Sequence, residues 1–265
     1  MSFYEATAKE PLRVLKKENK KRNIISRQKI IVTLFLLGFI GIGVLLTPVF
    51  NVQKIKVTGN NYIHTDKILE ISPAKINNNI FLFRKSDAEK KISELSFVEA
   101  VDVSRIFPSE VRIEVKECKP IAQVMCGQSL YLVIDKNGKI LDTSGNTEKY
   151  GVPVITNMEI DEFEVAHKLK AQDSEKLGKM LILLQELIQN GILDSATSVY
   201  ADDSGLHAVF RGVVDCDFGY EDNLSYRVKF VKECLKKIPE NESGKITFME
   251  EHKAVFTKEE KERAE

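Results

Sequence analysis

Histidine is scarce in this 265-residue chain: His64, His167, His207 and His252 are all it has, and none stands at motif spacing from a second ligand. No His-x-x-x-His, His-Glu-x-x-His or Cys-x-x-Cys occurs, so the converging ligand sets that hold zinc are missing. No glycine-rich phosphate loop and no Gly-x-Ser-x-Gly nucleophile elbow occur either. Asp202, Asp203 and Ser204 near His207 have the residue types of a hydrolytic triad, but Asp-Asp-Ser-Gly is a good hairpin turn and turn chemistry explains each of them. Glu250 and Glu251 make a poor glycosidase pair, because neighbours on a strand point to opposite faces. These absences favour a binding apparatus over an enzyme, with no cofactor, no metal and no small-molecule substrate.

Net charge is also missing, since 39 basic residues balance 39 acidic ones. The balance conceals two opposite parts. Residues 1–29 carry nine Lys or Arg against three Glu, a net +6, which leaves −6 for everything after them. Between the two lies an uncharged run, Ile30 to Phe50, with fifteen Ile, Leu, Val or Phe and only Thr33 and Thr47 as polar side chains. As a helix it would rise roughly 31 Å, the thickness of a bilayer's hydrocarbon core. Its apolar residues would supply roughly 4 to 9 kcal/mol of insertion free energy. A cleaved signal peptide fits less well, because the run is long and its exit, Leu46-Thr47-Pro48-Val49-Phe50, has no small-x-small site. The expectation is a single-pass anchor over residues 30–50. The basic tail, 1–29, stays cytoplasmic and the remainder is extracytoplasmic, a type II cell-membrane topology. Lacking interleaved aromatics, the tail suits anionic lipid headgroups better than nucleic acid.

Cysteine is limited to Cys118, Cys126, Cys216 and Cys234, whose spacing matches no zinc pattern. Four thiols allow three disulfide connectivities, and buried free cysteines are the simpler alternative in a domain of this size.

Beyond the run, residues 51–120 read as one compact α+β unit. Val52, Ile55 and Val57 open a strand that breaks at Gly59-Asn60-Asn61. Thr65 is placed to cap a short helix, Asp66 to Ile71, and Ser86-Asp87-Ala88-Glu89 reads as a capping box before the stripe Ala88, Ile92, Leu95. Strands Val98 to Ile106 and Val111 to Val115 follow, giving β-α-α-β-β. Residues 121–257 read as a mixed β-sheet domain punctuated by two helices. A hairpin is expected at Asp135-Lys136-Asn137-Gly138, helices over Lys176 to Asn190 and Leu224 to Ile238, and final strands over Lys245 to Glu250 and Lys253 to Thr257. Residues 258–265 form a charged end.

The segment Phe50-Asn51-Val52-Gln53-Lys54-Ile55-Lys56-Val57-Thr58-Gly59-Asn60, then Asn79-Ile80-Phe81, then Val98 to Pro108, resembles the POTRA module of the bacterial division proteins FtsQ and DivIB. Val111 to Val115 running into Lys116-Glu117-Cys118-Lys119-Pro120 is similar to the family's end-of-module signature, where an Arg more often stands at the position of Cys118. The likeness continues through Leu132 to Ile140 and Val152-Pro153-Val154-Ile155, and reaches about Phe256.

This resemblance implies a non-enzymatic scaffold of the division septum. It would bind FtsL-like and DivIC/FtsB-like proteins and, through them, help control the septal peptidoglycan synthase. It also implies that a late strand accepts a partner strand by edge addition, here Ile246 to Phe256, although Thr247-Phe248-Met249-Glu250 departs from the family's Asp-Leu-Arg-like run. The expected partner-binding residues are Ile246, Phe248, Glu250, Lys253, Ala254 and Phe256, with Glu250, Glu251 and Lys253 discouraging wrong strands. The alternatives are a POTRA-type chaperone or secretion component, which would bind unfolded strands and disperse over the membrane, and a wall hydrolase.

Overall fold

The computed structural model describes residues 27, 29–127, 129–220, 223–250 and 253–258. The basic stretch before residue 27, Glu251 and the charged end from residue 259 lie outside them. Internal contacts group the chain into two compact units. The first comprises Met1–Lys56, Pro73–Ala88 and Val103–Arg112, and the second Val57–Ser72, Glu89–Asp102 and Ile113–Glu265.

In the first unit the apolar run forms helix α1 over residues 29–45, followed by a turn and a 3-10 helix, Pro48–Phe50. The expected single helix over 30–50 is therefore interrupted, and proline is the cause. Pro48 has no N–H to donate and pushes the preceding residue out of helical geometry, so Thr47 sits extended at ψ 154°. Among the described residues no helix is long and apolar enough to cross a membrane. Both threonines return their hydroxyls to the helix backbone, Thr33 to Lys29 O at 2.9 Å and Thr47 to Val44 O at 2.7 Å.

The small module has the expected element order: β1 (Lys54–Thr58), α2 (Thr65–Ile71), α3 (Lys85–Ser93), β2 (Val98–Ile106) and β3 (Glu110–Glu117), with strand order β1-β3-β2. Its helices start earlier than expected, α2 by one residue and α3 by two. Thr65 is the first residue of α2, and its hydroxyl is taken by Asn60 Nδ2 at 3.1 Å instead of capping. α3 begins at Lys85, and Ala88 N already donates to Arg84 O, so Ser86 lies inside the first turn rather than at the cap.

The rest of the second unit is built on a nine-stranded sheet in the order β12-β11-β10-β9-β8-β7-β4-β5-β6. Its strands are β4 (Ala122–Met125), β5 (Tyr131–Ile134), β6 (Ile140–Ser144), β7 (Val154–Ile155), β8 (Ala196–Ala201), β9 (Leu206–Phe210), β10 (Val214–Asp217), β11 (Gly244–Glu250) and β12 (Lys253–Lys258). The β5–β6 turn uses Gly138 at φ +75°, while Asp135 Oδ1 accepts from the N–H groups of Asn137 and Lys139. Helix α4 (Ser174–Gln189) starts two residues earlier than its apolar stripe predicts, because Asp173 caps it by accepting from Lys176 N at 2.8 Å. Gly191 ends it in the left-handed region at φ +68°. Helix α5 is Leu224–Lys237.

The core lies between one sheet face and these two helices. Leu177, Met180, Leu184 and Leu187 of α4, and Val228, Val231 and Leu235 of α5, bury against Ile134, Val199 and Phe210 of the sheet. On the other face of β5 and β6, Val133 and Leu141 pack with Cys118, Phe97 and Tyr150. There Tyr62 stacks on Phe97 at 5.0 Å, and Lys139 Nζ donates to Val98 O at 3.0 Å. All four cysteines are free. Burial pushes the Cys118 thiol up to about 11 and raises that of Cys216, so neither supplies a reactive thiolate at neutral pH.

Candidate partner-strand site

A sheet of this order has two ends, and the chain treats them differently. At the β6 end the segment after Glu164 covers the entry to the edge strand: Ala166 N donates to Ile140 O, Ile140 N to His167 O and Leu169 N to Gly138 O. β12 stands at the opposite end, held on one side by antiparallel pairing to β11. An edge strand presents backbone N–H and C=O groups on its outer side, which is the template a further strand needs.

The register pairs Ile246 with Phe256 and Phe248 with Ala254, so these four share the face turned toward α5. Ile246 is only 1% exposed and belongs to the core, so its side chain supports the strand from beneath. Phe248 is half-buried, its ring set edge-on to Phe230 at 5.7 Å and covered by the Arg227 guanidinium at 5.0 Å. Arg227 is itself held by donating from Nη1 to Phe218 O at 2.6 Å. The half-buried Phe256 ring lies over Gly244, where a β-carbon would meet it at 2.6 Å. Both rings thus face the protein. Ala254 is half-buried and Lys253 exposed, while Glu250 enters through its backbone pairing with Lys253.

Two outward residues that sequence reasoning passed over belong to this site. The register slips between Phe248 and Glu250, which leaves Met249 as the extra residue of a bulge and 71% exposed. Val255 alternates with the inward pair and projects from the opposite face. Strict period-two reading could have found Val255, whereas no glycine or proline marks the bulge. On the same outer face a groove of about 460 Å³ runs past Val209, Val213, Lys245 and Thr257.

Next to that groove the outer face carries a row of polar residues from four strands. Tyr200 stacks flat on His207 at 4.5 Å and donates to Asp215 Oδ2 at 2.9 Å. The His207 ring, 1% exposed, has Asp215 Oδ1 at 3.6 Å from Nδ1, Asp202 Oδ1 at 3.2 Å from Nε2 and Asp217 Oδ1 at 3.9 Å. Lys245 stands 3.8 Å from Asp217. The turn expected at Asp202 is present: its Oδ1 accepts from Ser204 N, Ser204 Oγ and Gly205 N, and the same serine Oγ lies 3.0 Å from His207 Nε2. Sequence inspection saw the Asp202 end of this cluster, but Tyr200, Asp215 and Asp217 arrive only through sheet pairing.

Burial opposes a charged His207, but Asp215, followed by Asp217 and Asp202, outweighs it and raises its pKa above 6.5. Asp202 is held below 3.8 by its bonds from Ser204, and Asp215, despite its burial, by His207 and Tyr200. The histidine's contribution to stability is complete below its ordinary value and lost as pH climbs through the raised one. The carboxylates contribute above 3.8 and lose their contribution as pH falls through their depressed values. Thermal unfolding should therefore peak at mildly acid pH and decline above 6.5, and His207→Gln should flatten that alkaline decline; an unchanged slope would exclude the histidine as its cause.

A family model for the FtsQ-type POTRA domain matches residues 50–117. The chain is 29% identical over 178 residues to the cell division protein DivIB of Clostridium botulinum strain Hall, covering 67% of this chain and 68% of that protein. It is 34% identical over 111 residues to the cell division protein FtsQ of Koribacter versatilis, covering 42% and 32%. The DivIB of Bacillus subtilis strain 168 is 28% identical over 142 residues, 53% of each chain.

Proposed function

Because the chain belongs to the FtsQ/DivIB family of cell division proteins, we propose that it is a membrane-anchored scaffold of the division septum whose strand β12 captures a strand from an FtsL-like or DivIC/FtsB-like partner. In this reading residues 30–50 cross the cell membrane once, with the basic tail inside. Residues 51–120 form the POTRA domain, and residues 121–257 carry the partner site. Binding there helps control septal peptidoglycan synthesis without catalysis by this chain.

The observation that carries the partner site is the asymmetry of the sheet: at the β6 end residues 166–169 bond to the backbone of Gly138 and Ile140, while β12 ends the strand order with β11 as its one neighbour among the described strands. Main-chain hydrogen bonds would supply affinity, and the alternating side chains Lys253, Val255 and Thr257 selectivity. Lys253, exposed at the start of β12, is a charged gatekeeper against unwanted strands. The anchor reading draws on the uncharged run and on α1, whose large side chains are exposed to between 41% at Leu45 and 79% at Phe35.

Pull-down of division partners by the full chain tests the proposal. Val255→Lys and Met249→Lys should each weaken binding by about 0.5 to 1 kcal/mol, roughly two- to fivefold, with the fold retained. No binding by the unaltered chain, together with normal septa after its depletion and dispersed localisation, would refute the scaffold reading.

A further inference from the structure

The first unit exposes a second apolar surface, at the point where α1 ends. The last turn of a helix leaves carbonyls without intrahelical donors. Here Asn79, nearly buried, donates from Nδ2 to Leu45 O at 2.9 Å and accepts Phe81 N at 3.0 Å. Two backbone bonds tighten the join, Ile80 N to Phe50 O at 2.8 Å and Val52 N to Asn78 O at 2.9 Å. Around this join the rings of Phe50 and Phe81 lie 5.4 Å apart, and Phe81 stacks on Phe107 at 5.2 Å. Val49, Phe107 and, at 72% exposure, Leu82 project into solvent from the same join. Arg84 and Lys85 follow immediately and are exposed.

We propose that Val49, Phe81, Leu82 and Phe107 lie in the interfacial zone of the bilayer, with their apolar groups at the acyl boundary and Arg84 and Lys85 at the level of the phosphates. The proposal rests on the reading of residues 30–50 as a membrane span. A lipid surface is favoured over a protein partner by continuity. α1 exposes large apolar side chains along its length and needs an apolar medium, and the Asn79 clamp fixes the patch one hydrogen bond from its end. Aromatic residues and long cationic side chains at the end of a spanning helix are what that zone accommodates.

The chain contains no tryptophan, so single Trp variants report one position each. The full chain would be reconstituted in vesicles of phosphatidylcholine and phosphatidylglycerol containing lipids brominated either near the ester groups or near the chain ends. Phe39→Trp should be quenched best by the deep bromines, which checks the span. Leu82→Trp and Phe107→Trp, both at exposed positions, should emit at blue-shifted wavelength and lose emission mainly to the shallow bromines. If Phe39→Trp is quenched while Leu82→Trp and Phe107→Trp emit as in water and are untouched by either lipid, the interfacial surface is refuted and the span stands. If Phe39→Trp is also unquenched, the span and the surface fall together.

Discussion

Gly205→Ala should be among the most damaging single-methyl changes in the second unit. A β-carbon at Gly205 would lie 2.3 Å from Gly219 Cα and 2.7 Å from Gly219 N, which is backbone and cannot step aside by changing rotamer. The crossing is locked on both sides: Leu206 N donates to Gly219 O at 3.2 Å, Phe218 N to Leu206 O at 2.7 Å, and the Phe218 side chain between them is fully buried. Overpacking of this kind costs about 3 kcal/mol or more, and in a unit of this size that lowers the unfolding midpoint by roughly 6 to 12 °C. Because the crossing also seats the turn that holds Asp202 against His207, the pH dependence described above should weaken with it. Gly178→Ala is the matched control of opposite sign. Nothing lies within 4 Å of a β-carbon there, and an alanine inside α4 should stabilise by about 0.5 to 1 kcal/mol. Thermal denaturation of the two variants decides the point, and equal midpoints would contradict the close approach.

Ending the chain after Glu250 should abolish partner capture, a loss of at least about a hundredfold if main-chain bonds to β12 carry most of the affinity. The sheet itself should survive, because Gly244 to Thr247 of β11 remain paired in parallel with β10. Its stability should fall by about 2 to 4 kcal/mol, since Phe256 and Ala254 no longer cover the core. Titration of a partner against the shortened and full chains, with circular dichroism to confirm the fold, separates binding from unfolding. Undiminished binding would move strand capture away from β12, and β2 (Val98–Ile106), at one end of the small sheet, would become the next edge to test.

Much of this architecture was legible because it is local. The β-α-α-β-β order, the Asn-Gly hairpin, the stripes of α4 and α5 and the final hairpin each carry a periodicity or a turn within a dozen residues. What escaped was set by distant segments or by backbone detail. β7 is two residues long and exists because Val154 and Ile155 pair in parallel with β4 on one side and β8 on the other. Ser86 looked like a cap, yet the helix reached back past it to Lys85. In the final hairpin the strands and their pairing were readable but the direction of the rings was not. Phe248→Asp or Phe256→Asp reads as a clean binding lesion only if the rings point outward, and with both turned inward these changes also damage the core. The outward positions Met249 and Val255 are better probes because they leave Phe230, Arg227 and Gly244 undisturbed.

With the carbonyl of its last residue, Leu45, gripped by Asn79 and only a single 3-10 turn before the first strand, α1 has no swivel where it meets the rest of its unit. A torque or a tilt applied to the helix is handed on rather than dissipated, as along a stiff shaft. The tilt of α1 would thus set the angle at which the remainder of its own unit is displayed.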